Sequence, residues 1–118
     1  MSAGVVSGPR GRGQAMDILR DGPTLVLSGD FDVRSTMEVR AAIYDHLSAL
    51  HEQEVVIDLS GVDSVDLTAL KVLAYATREA ARAGHHLVLR GCGPAVRRLL
   101  HMSRLIRVVE LEREAATA

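Results

Sequence analysis

Asp66, Leu67 and Thr68 stand where residues 55–73, VVIDLSGVDSVDLTALKVL, pass from a polar turn into a helix. A hydroxyl beside a carboxylate at a helix start can cap the helix, accept a phosphate or meet a partner. Thr68 supplies that hydroxyl. Ser64 lies in the same turn, where local hydrogen bonding is the ordinary use of a serine. Asp58 interrupts the apolar run before the turn and is placed to order the loop from the end of the sheet. Asp32, further upstream, shares two roles with Asp66: capping a turn or helix, and adding negative charge to a contact surface.

Other chemistries find less support. His85 and His86 are adjacent, so in a strand they point to opposite faces and do not ligate one metal easily. His46 and His51 flank a helix end, a place where an imidazole faces water or the helix dipole. No zinc spacing emerges, and no metal or cofactor is expected. Cys92 is the single cysteine, so no internal disulfide can form, which suits a reducing cytosol. Its thiol reads as structural or incidental, since no base or resolving cysteine accompanies it, although a position between two glycines also admits an exposed reactive group. The stretch RGCGPAVRR has glycines before a helix but lacks the remaining glycine and the lysine of a nucleotide loop, so it reads as a strand-to-helix turn. With no acid, base and nucleophile brought together, an enzyme is not expected.

The 118 residues are 47% hydrophobic, enough for one domain with a core. A net charge of -1 gives no global attraction to nucleic acid or anionic lipid. Phe31, Tyr44 and Tyr75 are too few aromatic residues to build a base-stacking surface. No segment is long enough to span a membrane, and the first fifteen residues lack the apolar centre of a signal peptide, so a cytoplasmic protein is expected. Residues 1–15 are expected to be a flexible tail, 16–111 the domain and 112–118 a C-terminal tail.

The elements that must position the site follow from periodicity. Residues 16–19 and 24–28 form a hairpin around Asp21, Gly22 and Pro23. Ser35 and Glu38 make a capping-box pattern before a helix that carries Val39, Ile43, Leu47 and Leu50. Residues 55–59 read as a strand covered on both faces and closed by Ser60 and Gly61. A second helix begins near Leu67 and stops at Gly84. A strand over 86–89, a third helix opening at Pro94 with Val96, Leu99 and Leu100, and a closing strand over 106–111 complete the chain. The order is β-β-α-β-α-β-α-β, an α/β fold with a mixed sheet and helices packed mainly on one face.

Three blocks, in this order and spacing, resemble a STAS domain of the anti-sigma factor antagonist family, over roughly 16–111. LVLSGDFDVRSTMEVRAAI resembles the second strand and first helix with a Gly-x-x-Asp element, here Gly29 and Asp32. VVIDLSGVDSVDLTALKVL resembles the central strand, acidic loop and helix start, and HLVLRGCGPAVRRLLHMSRLIRVVEL the last strand, helix and strand. The resemblance implies a regulatory binding module whose partner is an anti-sigma factor of the serine-kinase type, with release of a sigma factor. A homodimer is compatible with it. In that family the serine or threonine after the loop aspartate is phosphorylated, and phosphate switches binding.

This chain departs from the pattern at that position. Asp66 matches the loop aspartate, but Leu67 takes the phosphoacceptor's place and Ala69 that of a glycine. Thr68 is a candidate displaced by one residue, which on a helix is a rotation of about 100°. Three readings follow: an antagonist that is not switched off, a STAS subunit of a stressosome-like scaffold or phospholipid-transport ABC complex, or an enzyme with a cryptic site. If Leu70, Leu73, Ala74, Thr77 and Ala81 face the sheet, then Leu67, Lys71, Tyr75, Arg78 and Arg82 fall on the outer face, as a contact surface or as a solvated one. The expected partner-binding set is therefore Asp32, Asp66, Leu67, Thr68, Lys71 and Tyr75.

Overall fold

A two-residue turn at Gly22 and Pro23 opens the domain, and Gly22 takes φ +60 there, at the turn position that favours glycine. It joins β1 (Met16–Asp21) to β2 (Thr24–Phe31) with Asp21 opposite Thr24. The computed structural model describes residues 16–112, so the tail expected over 1–15, and all but Glu112 of the tail expected over 112–118, lie outside the described residues. After the hairpin come α1 (Thr36–Ala49), β3 (Glu54–Val65), α2 (Leu67–Arg82), β4 (His86–Arg90), α3 (Pro94–Ser103) and a 3-10 turn (Leu105–Arg107). The strands form one sheet in the order β1-β2-β3-β4, antiparallel between β1 and β2 and parallel elsewhere. This is the mixed α/β fold that the periodicity indicates.

The core is built by alternation. Ile18, Leu25, Leu27, Val55, Ile57, Leu59, Leu87 and Leu89 point from the sheet into one buried cluster. Val39, Ile43 and Leu47 of α1, Leu70, Leu73 and Ala74 of α2, and Val96 and Leu100 of α3 fill it from the helix side. Val56 and Val88 are buried on the opposite sheet face, which gives the two parallel strands their continuous apolar runs. On α2 the buried stripe runs through Ala69, Ala76 and Ala80, whereas Ala81 is exposed. The sheet-facing set is thus rotated slightly from the one expected, because the helix meets both β4 and α1.

Helix ends follow their capping chemistry. Gly84, at φ +89, closes α2 with paired bonds from Gly84 N to the Ala81 carbonyl at 3.1 Å and from His85 N to the Ala80 carbonyl at 2.8 Å. Pro94 begins α3, where its missing N–H is no loss. The capping box at α1 does not form: Ser35 is buried, and its hydroxyl serves the preceding loop by donating toward the Asp30 and Asp32 carbonyls and accepting from Asp32 N.

Two further expectations are revised. β3 does not stop at Ser60 and Gly61. It runs to Val65 because two one-residue bulges keep it paired with β2 as far as Phe31 opposite Val65. Gly61 makes the first of these bulges possible, since a Cβ there would lie 2.9 Å from the Ser28 Cβ. The closing strand of 106–111 contracts to a single parallel bridge between Leu111 and Leu89, its first part being wound into the 3-10 turn. Glu112 then holds the segment on β4 through both its oxygens, at 2.7 and 2.9 Å from the Arg90 guanidinium. Cys92 is buried, and burial pushes its thiol up, away from the reactive range.

His46 is also buried, facing the hairpin and not water. Its Nε2 lies 3.1 Å from the Pro23 carbonyl. Burial lowers its pKa from the ordinary 6.5, outweighing that bond. An unfolded His46 takes up its proton before the folded one, so the stability it contributes is full above 6.5 and is lost as pH falls below that value. His86, raised by its bond to Glu110, acts in the opposite sense, with stability present at low pH and lost as pH rises through its folded value, but on a half-exposed and screened pair. Thermal melts from about pH 7.5 down to about pH 5.5 should therefore fall less steeply for His46→Gln than for the parent chain. Parallel slopes would show that this imidazole is not the titrating group.

Candidate partner-binding site

β3 ends at Val65, and the next residue places a carboxylate between two segments. Asp66 caps α2 by accepting from Ala69 N on Oδ1 at 2.8 Å. Its other oxygen, Oδ2, accepts from Val33 N at 3.1 Å in the loop ahead of α1. Its own N–H donates to the Phe31 carbonyl at 3.3 Å. One side chain thus joins the start of α2 to the start of α1.

Around this joint the sheet ends are fixed by short polar bonds. Gly29, at φ +103, gives β2 the backbone geometry that the second bulge requires. Ser64 then donates to Asp30 across the pair at 2.9 Å, and Asp58 accepts from the Ser60 amide and hydroxyl at 2.9 and 2.7 Å. Asp32 is turned toward its own loop, accepting from Arg34 N at 3.0 Å and from the Arg34 guanidinium at 2.8 and 3.1 Å. That guanidinium holds the Asp32 carboxyl below the usual carboxylate range.

Leu67, Thr68, Lys71 and Tyr75 all lie on the exposed side of α2. Thr68 occupies the second helical position, and its hydroxyl makes no hydrogen bond among the described residues. The structure brings these four together with Asp66 on one surface, while Asp32 sits across the joint in the α1 loop.

That surface has a second half, supplied by α1 and not singled out from the sequence. Val33 and Met37 are 63% and 80% exposed, beside Leu67 at 41% and Tyr75 at 53% on α2. These four belong with Met102 to the small set of exposed large apolar residues among those described. Farther along, Arg40, Tyr44, Thr68, Lys71, Val72 and Tyr75 line a groove of about 400 Å³ between the helices. The spacing of Val33, Met37, Arg40 and Tyr44 is helical and lies off the core stripe of Val39, Ile43 and Leu47, a signal the sequence did carry. Such a cluster, apolar and rimmed by charge, has the make-up of a protein-contact surface.

Residues 15–110 match the family model described as Mlab, STAS domain. The chain belongs to this STAS domain family. No curated protein matches it. Among solved structures, the STAS domain superposes on an anti-sigma factor antagonist from Mycobacterium paratuberculosis with a TM-score of 0.68 at 24% identity, covering 85% of this chain and 86% of that one. The anti-sigma factor antagonist SpoIIAA in its unphosphorylated form, a Bacillus protein, gives 0.65 at 17% identity over 85% and 90%. A sulfate transporter family protein from Wolinella succinogenes gives 0.58 at 17% over 71% and 67%. At these identities the likeness is one of fold. Among the described residues no group of three or more His, Cys, Asp or Glu could hold a metal ion, and no helix is long and apolar enough to cross a membrane.

Asp66→Ala should lower the stability of this STAS domain by about 1–2 kcal/mol in urea unfolding, the usual worth of a lost cap plus its tie to Val33. Asp66→Asn, which keeps an acceptor oxygen for Ala69 N, should cost less. An unchanged midpoint in the alanine variant would show that the joint carries no load.

Proposed function

We propose that this STAS domain is a regulatory binding module of the anti-sigma factor antagonist kind. It holds an anti-sigma factor of the serine-kinase type through Asp32, Asp66, Leu67, Thr68, Lys71 and Tyr75, and so frees a sigma factor in the cytoplasm. The observation that carries this reading is the exposure of Val33 and Leu67 on either side of the joint made by Asp66, with Met37 exposed farther along α1 and Tyr75 farther along α2. Leu67 has no hydroxyl, so the module lacks the phosphate switch at that position. Thr68 is the displaced candidate: its hydroxyl is free and exposed at the positive end of α2, where a phosphate is electrostatically tolerated.

A second reading is favoured by the family description itself. In it the same surface seats the ATPase of a phospholipid-transport ABC complex, or a stressosome-like scaffold, and the match to the family described as Mlab, STAS domain is compatible with that use. Both readings need one exposed face and no catalytic group, and they differ in the partner recovered.

Affinity purification of the tagged chain from its host, with mass spectrometry of partners and of phosphate on Thr68 and Ser64, separates them. A serine-kinase anti-sigma factor supports the antagonist, whereas a transporter ATPase without a kinase supports the second reading and sinks the first. With the recovered partner, Leu67→Asp should leave the melting temperature nearly unchanged and weaken binding by about tenfold or more in calorimetry, as loss of an apolar anchor does. Unaltered affinity would remove Leu67 from the interface.

A further inference from the structure

The groove between α1 and α2 has a composition unlike the apolar patch next to it. Arg40 sits with its guanidinium 5.7 Å from the Tyr44 ring centroid and 5.8 Å from that of Tyr75, so one cation is held between an aromatic of its own helix and one from α2. Lys71 lines the same groove. Arg78 lines a second recess of about 170 Å³, with Tyr75 as the wall between the two. Among the described residues Arg40, Lys71 and Arg78 have no carboxylate partner, as Arg97, Arg98, Arg104 and Arg107 have none, whereas Arg20, Arg34, Arg82 and Arg90 each have one; the groove differs in gathering such cations around exposed aromatic rings.

We propose that this groove docks an acidic polypeptide segment of the partner, with a carboxylate received between Arg40 and Lys71, one apolar neighbour seated on Tyr75 and Val72 in the groove and another on Leu67 beyond its mouth. The inference rests on the reading of this face as a partner surface and adds the chemistry of what it binds. A guanidinium stacked on aromatic rings is weakly hydrated and its planar fork is already oriented, which suits a carboxylate in bidentate contact. The tyrosines offer large rigid area at low entropic cost, as interface anchors do. The carboxylates of Asp30, Asp32 and Asp66 edge the opposite end of the surface and outnumber the one guanidinium, Arg34, set among them, so a broad anionic layer such as a membrane would meet net repulsion there, while a single segment entering the groove would not.

The test uses the full chain, labelled with 15N, and two synthetic peptides with leucines at i,i+4 spacing, one with glutamates and one with lysines at the polar positions. The glutamate peptide should shift the signals of Arg40, Tyr44, Lys71 and Tyr75, weaken as salt rises, and bind about tenfold less tightly to Lys71→Glu and to Arg40→Glu, provided their melts match the parent's. The lysine peptide should shift none of these signals. No response to the glutamate peptide at millimolar concentration, equal response to both peptides, or movement of the same signals only with phosphatidylglycerol vesicles would overturn the proposal. Pull-down of the native partner separates this failure from that of the function: a partner lost with Leu67→Asp but kept with Arg40→Glu and Lys71→Glu leaves the module reading standing and removes the acidic dock alone.

Discussion

The surface this domain presents depends on one carboxylate shared between two backbone amides. Either half of the Asp66 interaction is ordinary, a helix cap on one oxygen and a loop contact on the other. Together they set where α2 starts relative to the loop that leads into α1. Two helices that pack on the same core need not have their N-termini side by side. Here they do, and the apolar residues that follow each terminus become neighbours on one face.

The strand that delivers Asp66 must carry the correct phase. β3 begins as a buried alternating strand, and without correction its period-two pattern would continue past the edge of the core. Each one-residue bulge resets the pattern against β2, so that Phe31 and Val65 meet at the end of the pair and Asp66 emerges next to Phe31. Gly61 and Gly29 make this possible in different ways, one by having no Cβ to collide with Ser28 and the other by taking a backbone angle that favours glycine. Along this stretch Asp58 satisfies the Ser60 amide, which regular pairing would otherwise engage, and Ser64 ties to Asp30 side chain to side chain across the pair.

Periodicity and punctuation made most of the fold legible: the hairpin turn, the core stripe of α1, the opening of α2, the glycine stop at 84 and the proline start at 94. What was not legible involved partners distant in the chain. The bulges break alternation, so the second half of β3 read as a loop. His46 looked like a helix-end imidazole because nothing local reveals that Pro23 lies across from it. The apolar run over 106–111 suits a strand as well as a turn packed on the core, and only the competition between the two within the folded chain settles it. At the site, the α2 residues were readable from helical spacing, whereas the half supplied by α1 and the loop ahead of it was not, because the bond from Val33 N to Asp66 that sets it beside α2 joins residues 33 positions apart.

The sheet's two borders are unlike each other. Among the described residues β1 pairs on one side only, with β2, and its other side carries a line of backbone groups without a strand partner. At the other border Leu89 already exchanges bonds with the closing segment, and the Arg90–Glu112 fork fastens that segment in place. Edge-to-edge pairing is the route by which exposed sheets aggregate. Two copies joined along β1 would each turn outward a β4 border already engaged at Leu89, which hinders the addition of a third. A single bridge and one ion pair, minor as contributors to the fold, therefore act as a terminator for the sheet.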